Sequence, residues 1–111
     1  MLNLRFVIGM LLVGAMVPGA DVVCGQNFPN RTIRIVTSEA GGGSDFVARL
    51  VAQGITAGLG QQVIVDNRVG AIAPEVLLRA TPDGYTVLVS GATFWLAPLF
   101  RKTSYDPVKD F

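Results

Sequence analysis

Four consecutive small residues, Gly41-Gly42-Gly43-Ser44, stand immediately before Asp45 and a run of helical spacing. Glycine lets the backbone approach a ligand closely, and the first amide hydrogens of a helix have no internal acceptor, so such a junction can cradle a carboxylate or a phosphate. The same glycines also serve as a tight strand-to-helix turn with no ligand. Ser44 can cap the helix. Asp45 has two readings: it complements the helix dipole, or its carboxylate turns into a cleft and accepts hydrogen bonds from a ligand or bound water. Glu39 is unwelcome beside a carboxylate site, which it repels unless solvated or turned outward. Asp66-Asn67-Arg68 reads as a solvated strand end from which Arg68 can still reach an acidic ligand, and Ser90 and Thr93 are small hydroxyls suited to orienting oxygen atoms.

Other chemistries are excluded by what is missing. The 111 residues hold no histidine and one cysteine, which removes Ser-His and Cys-His nucleophile pairs and most zinc sites. Nine Lys+Arg against eight Asp+Glu, with no basic block, lack the concentrated positive patch that nucleic acid requires. No catalytic residue, metal or cofactor is expected, and the length allows one small domain at most. A P-loop fails for want of Gly-Lys-Ser/Thr. A dinucleotide loop would have Gly41-x-Gly43 but Phe46 in place of its third glycine, although Asp66 stands where a ribose-binding acid would.

The elements that must position these groups alternate. Thr32-Ile33-Arg34-Ile35-Val36-Thr37 is rich in β-branched residues and predicts a strand. A helix of about 15 residues follows, in which Phe46, Val47, Leu50, Val51, Ile55 and Leu59 form the apolar stripe and Arg49, Gln53 and Thr56 fall on the other face. Gly60 ends it. Gln62-Val63-Ile64-Val65-Asp66 predicts a second strand, and a loop over 67–73 leads to a helix with Pro74 in its first turn. Thr81-Pro82-Asp83-Gly84 is a turn, Tyr85-Thr86-Val87-Leu88-Val89 a third strand, and Ser90-Gly91-Ala92-Thr93 a break. Beyond it lies a short apolar segment, 95–100, with Phe94 and Trp95 read as core. This βαβαβ order predicts a mainly parallel sheet, with the loops 38–44, 67–73 and 90–93 converging at its carboxyl edge, where open α/β sheets bind ligands.

Ahead of this, Arg5 is the only charge before an uncharged apolar run over 6–20. Fifteen residues rise about 22 Å as helix, short of a ~30 Å hydrocarbon core. A charged start, a short apolar stretch and then small residues is the layout of a secretory signal peptide. Residues 1–25 are expected to be that signal. A cut after Ala20 would put Pro18 in an extended protease subsite. A cut after Gly25 sets Val23 and Gly25 at the small-residue positions, removes Cys24 and starts the mature chain at Gln26. A lipid anchor on Cys24 is the alternative, with Asp21 standing where a lipoprotein signal wants an apolar residue.

Five blocks carry a resemblance. They are Phe28-Pro29-Asn30-Arg31-Thr32-Ile33-Arg34-Ile35-Val36, Gly41-Gly42-Gly43-Ser44-Asp45-Phe46-Val47-Ala48-Arg49, Leu59-Gly60-Gln61-Gln62-Val63-Ile64-Val65-Asp66-Asn67-Arg68, Pro82-Asp83-Gly84-Tyr85-Thr86 and Tyr105-Asp106-Pro107-Val108-Lys109-Asp110-Phe111. In that order and spacing, residues 26–111 resemble the start of a tripartite tricarboxylate transporter substrate-binding protein, a family also called Bug receptors. The resemblance implies an α/β chain that is part of one lobe of a periplasmic-binding-protein-like (type II) fold. It also implies an exported, periplasmic receptor that closes two lobes on a small carboxylate and hands it to membrane permease subunits, without catalysis. The ligand-binding residues it implies are Gly42, Gly43, Ser44, Asp45, Gly70, Ser90 and Thr93, with the acid acting through bridging water.

Departures from the pattern matter. Ser38-Glu39-Ala40-Gly41 stands where many members have Pro-Phe-Ala-Pro, so Glu39 replaces an apolar wall, and the loop after Arg68 lacks a Gly-Gly-Asn run. Members run to about 300 residues, enough for two lobes, so residues 26–111 are expected to be an incomplete N-terminal part of lobe 1. A dehydrogenase-like nucleotide-binding fragment and a secreted interaction module without a ligand are the competing readings.

Overall fold

The structure is a computed structural model, and it describes residues 27–111. The expected signal over 1–25, its cut and Cys24 lie outside the described residues. Three strands, β1 (Ile33–Thr37), β2 (Val63–Asn67) and β3 (Thr86–Val89), alternate with three helices, α1 (Gly43–Leu59), α2 (Ile72–Leu78) and α3 (Ala92–Phe100). The sheet is wholly parallel in the order β2-β1-β3, with Ile35 opposite Val65 on one side and Val87 on the other. The central strand is the most buried of the three. Ile35, Val36 and Thr37 are all fully buried, as expected of a parallel strand covered on both faces.

Side-chain alternation assigns the faces. Ile35 meets Ala48 and Ala52 of α1, with Val63, Val65 and Val89 packed around them. Val36 points to the opposite face. Helix α2 lies against β1 and β3, and right-handed crossovers place it on that second face. The chain thus winds outward from β1 in both directions, and the carboxyl ends of β1 and β3 meet at a topological switch point. Thr37 reinforces this junction: its hydroxyl donates to the Val89 carbonyl at 2.8 Å.

The α/β class, the parallel sheet and the order of elements agree with expectation, and the boundaries differ by a residue or two. Gly60, at φ 66°, ends α1 in the left-handed conformation, and its N–H donates to the Thr56 carbonyl. Several expectations need correction. Gly42 rather than Ser44 is the N-cap of α1, and no side chain caps it. The buried face of α1 is Asp45, Ala48 and Ala52, whereas Phe46 is 65% exposed and Val47, Leu50, Val51 and Leu59 are also exposed. Alanine lets the helix axis approach the sheet more closely than leucine would, so the small-residue face wins the contact. Likewise Phe94 is buried but Trp95 is exposed.

The segment after β3 is a helix where a break and a short apolar run were expected. Gly91 is its N-cap, and Pro98 sits in its last turn. Proline has no N–H to donate to the carbonyl four residues back, which is that of Phe94. The Tyr105 hydroxyl donates to that carbonyl at 2.9 Å instead. The two rings also stack, with centroids 5.1 Å apart, and Phe111 packs edge-on to Phe94 at 5.2 Å. These contacts fold residues 101–111 back over α3. No helix among the described residues is long and apolar enough to cross a membrane.

Candidate functional site

At the switch point the three loops and the start of α3 enclose an open cleft of about 140 Å³. Ser38 and Glu39 after β1 form one wall and Gly70 and Ala71 after β2 another, while Ser90 and Gly91 after β3 close the third side. Ser44 from the first turn of α1 and Thr93 from the first turn of α3 also line the cleft. The two helix starts are in close contact: a Cβ built on Gly91 would lie 3.4 Å from Ser44 Oγ. First-turn amides have no intrahelical acceptor, so two positive helix ends converge where an anion would sit.

Of the seven residues expected to bind ligand, Ser44, Gly70, Ser90 and Thr93 line this cleft together. Gly42, Gly43 and Asp45 stand outside its lining. Gly42 is the N-cap of α1; its carbonyl accepts from Phe46 N and its own N–H from the turn donates to the Glu39 carbonyl. Asp45 is 4% exposed, and both oxygens of its carboxylate accept hydrogen bonds. Gly41 N–H donates to Oδ2 at 2.9 Å, Asn67 Nδ2 to Oδ1 at 2.9 Å, and Arg49 Nε approaches at 3.1 Å. These donors, the Gly41 amide foremost and then Asn67 and Arg49, lower its pKa to about 2. Part of the anion cradle is therefore filled from within the chain. Gly41 adopts φ 84°, a conformation that favours glycine, and so turns its N–H toward Asp45.

Asn67 and Asp66 are half-buried rather than fully solvated, whereas Arg68 is exposed, as expected of a strand end. Asn67 Nδ2 donates to the Ser38 carbonyl as well, at 2.9 Å, which ties the end of β2 to the loop after β1. Arg68 pairs with Asp66 through two hydrogen bonds of 2.9 and 3.1 Å, and Arg34 approaches the same carboxylate at 3.6 Å. In this arrangement the Asp66 carboxylate faces two arginines of the chain, Arg34 and Arg68.

Glu39, Arg101 and Tyr105 are among the lining residues that were not expected as ligand contacts. Glu39 faces the cleft, and its Oε1 accepts a hydrogen bond from Gly70 N at 3.3 Å. Arg101 and Tyr105 reach it because α3 ends and the chain doubles back over Phe94. Local sequence offers Tyr105-Asp106-Pro107 as a turn, and a turn forms at 107–109, but it carries no sign that Tyr105 stacks on Phe94. Among the described residues, neither Glu39 nor Arg101 forms an ion pair.

Residues 47–111 match the family described as the tripartite tricarboxylate transporter family receptor. A UPF0065 protein of Bordetella bronchiseptica is 42% identical over 106 residues, covering 90% of this chain and 31% of its own length. Among solved structures, MatC from Rhodopseudomonas palustris with bound malate is 37% identical with a TM-score of 0.67, covering 76% of this chain and 31% of that one. The periplasmic binding protein BugD is 40% identical with a TM-score of 0.52 over 55% of this chain and 22% of its own. The chain spans about a third of the length of the curated relatives it matches. With its doubly wound sheet, its cleft at the switch point and the match over 47–111, the chain belongs to the tripartite tricarboxylate transporter receptor family.

Proposed function

We propose that residues 26–111 are the N-terminal part of the first lobe of a periplasmic solute receptor for a small carboxylate, which the complete receptor passes to the permease subunits of a tripartite transporter. The observation that carries this reading is the convergence of the α1 and α3 helix starts, the Gly70 loop and the residues Ser44, Ser90 and Thr93 on one cleft. Free amides and hydroxyls at that edge are donors for carboxylate oxygens. Asp45 acts here by holding the Gly41 turn and Asn67 in place, so its contribution to the ligand passes through the loop it organises. The cleft of about 140 Å³ is smaller than the ~300–1,000 Å³ of complete small-molecule sites, which suits one half of a two-lobed binding site. Malate bound to MatC supports carboxylate as the ligand class.

The test is a titration of the 15N-labelled chain with di- and tricarboxylates, amino acids and NAD, followed by amide shifts. Saturable movement of Gly70, Ser90 and Thr93 amides by a carboxylate, half-complete in the millimolar range (about 4 kcal/mol of binding), is expected. A response to NAD without any response to carboxylates overturns the reading. Export is checked separately by mass spectrometry of the periplasmic product, which is expected to begin at Gln26; a product beginning at a diacylated Cys24 would replace soluble export by a lipid anchor.

A further inference from the structure

The cleft has two charged side chains among its lining residues, and they are of opposite sign. Glu39 stands on the loop after β1, with its carboxylate held on the Gly70 amide, and Arg101 stands just past α3. All other lining residues are neutral, and neither charge is compensated by an ion pair among the described residues. A dicarboxylate entering this cleft brings one carboxylate that the helix starts and Arg101 favour. Its second carboxylate meets Glu39, a like charge, and competes with it for the Gly70 N–H. A ligand that carries an ammonium in place of the second carboxylate meets an acceptor there.

We propose that Glu39 and Arg101 make this cleft selective for a small zwitterion, a carboxylate bearing an amino group, over a dicarboxylate. The proposal rests on the reading of the cleft as a carboxylate site and names its substrate class. Arg101 and the first-turn amides take the carboxylate, and Glu39 takes the ammonium. Because Glu39 already accepts from Gly70, it is held at the wall and needs no rearrangement to receive a second donor; a carboxylate oxygen has lone pairs to spare. Ser44, Ser90 and Thr93 accept or donate as the ligand requires, so the two charges set the preference.

Succinate and 4-aminobutyrate form a matched pair of probes, since one replaces a terminal carboxylate of the other by an aminomethyl group. Each is titrated into the dilute 15N-labelled full chain, into Glu39→Gln and into Arg101→Gln, with the Gly70, Ser90 and Thr93 amides as reporters. Both substitutions change exposed side chains, and dispersed amide spectra establish that each variant is folded. On the unsubstituted chain, 4-aminobutyrate is expected to half-saturate at a concentration at least ten-fold below succinate. Glu39→Gln removes that preference, mainly by improving succinate and weakening 4-aminobutyrate, while Arg101→Gln weakens both. Equal or tighter binding of succinate to the unsubstituted chain, unchanged in Glu39→Gln, overturns the zwitterion proposal and leaves the carboxylate reading standing. No response of these amides to either probe or to any other carboxylate overturns the carboxylate reading itself.

Discussion

Asn67 Nδ2 donates to Asp45 Oδ1 at 2.9 Å, joining the carboxyl end of β2 to the first turn of α1. The same amide donates to the Ser38 carbonyl, and the same carboxylate accepts the Gly41 N–H. One asparagine and one aspartate thereby tie together the end of β2, the loop after β1 and the start of α1. The walls of the cleft inherit their spacing from this link.

Acid should loosen it. Folding lowers the Asp45 pKa from 3.8 to about 2, so the folded state favours the carboxylate form. A depressed carboxylate contributes stability that is fully present above the unfolded pKa and is lost as pH falls from about 4 through about 2. Urea midpoints measured across this range should fall with decreasing pH. In Asp45→Asn that part of the slope should be absent and the neutral-pH midpoint lower. An unchanged slope in Asp45→Asn would assign the acid sensitivity to other groups.

Tyr105→Phe keeps the stacked ring and removes only the hydroxyl that donates to Phe94, at the carbonyl for which Pro98 supplies no N–H. A buried carbonyl left without a donor costs about 1–3 kcal/mol. The variant is expected to be less stable by that amount and to melt earlier, whereas Tyr105→Leu should lose more because stacking against Phe94 goes as well. Thermal denaturation followed by circular dichroism distinguishes the two.

The inverted face of α1 makes a paired prediction. Ala48→Leu inserts volume at a fully buried contact with Ile35, and overpacking of this kind costs about 1–3 kcal/mol. Phe46→Ser changes an exposed side chain and should alter stability by no more than about 0.5 kcal/mol. Phe46, Val47 and Leu50 nevertheless present a run of exposed apolar surface, which favours self-association. Sedimentation velocity is expected to show concentration-dependent association of the chain that Phe46→Ser reduces; a monomer at all concentrations would contradict this.

Thr37 is fully buried and its hydroxyl spans the gap between the central strand and β3. Thr37→Val is close to isosteric, so its effect isolates one hydrogen bond, about 1 kcal/mol of stability. Because this bond lies at the carboxyl ends of both strands, Ser90 and Gly91 amide resonances should shift in the variant while those of α2 stay in place.

Much of the fold was legible in residue order. β-branched runs at 33–37, 63–65 and 86–89 make strands because their side chains suit a pleated, buried surface, and Gly60 and Gly84 adopt the positive φ that closes a helix or a turn. The convergence of three loops followed from right-handed crossovers, and with it the grouping of Ser44, Gly70, Ser90 and Thr93. The direction of α1 was not legible. Its helical spacing supports two stripes, one large and apolar and one small, and a hydrophobicity pattern favours the large one although close packing on the sheet selects Ala48 and Ala52.

The sequence by itself determined the class, the element order and the edge at which a ligand would bind, because strand propensity, turn chemistry and chain handedness act over a few residues. Only the tertiary structure decided that Asp45 turns inward to Gly41 and Asn67, that Pro98 is answered by Tyr105, and that Glu39 and Arg101 share a cleft. Those outcomes depend on which distant donor or charge the folded chain brings within reach. A hydrogen-bonding group buried by folding must take such a partner, whatever its neighbours in sequence suggest.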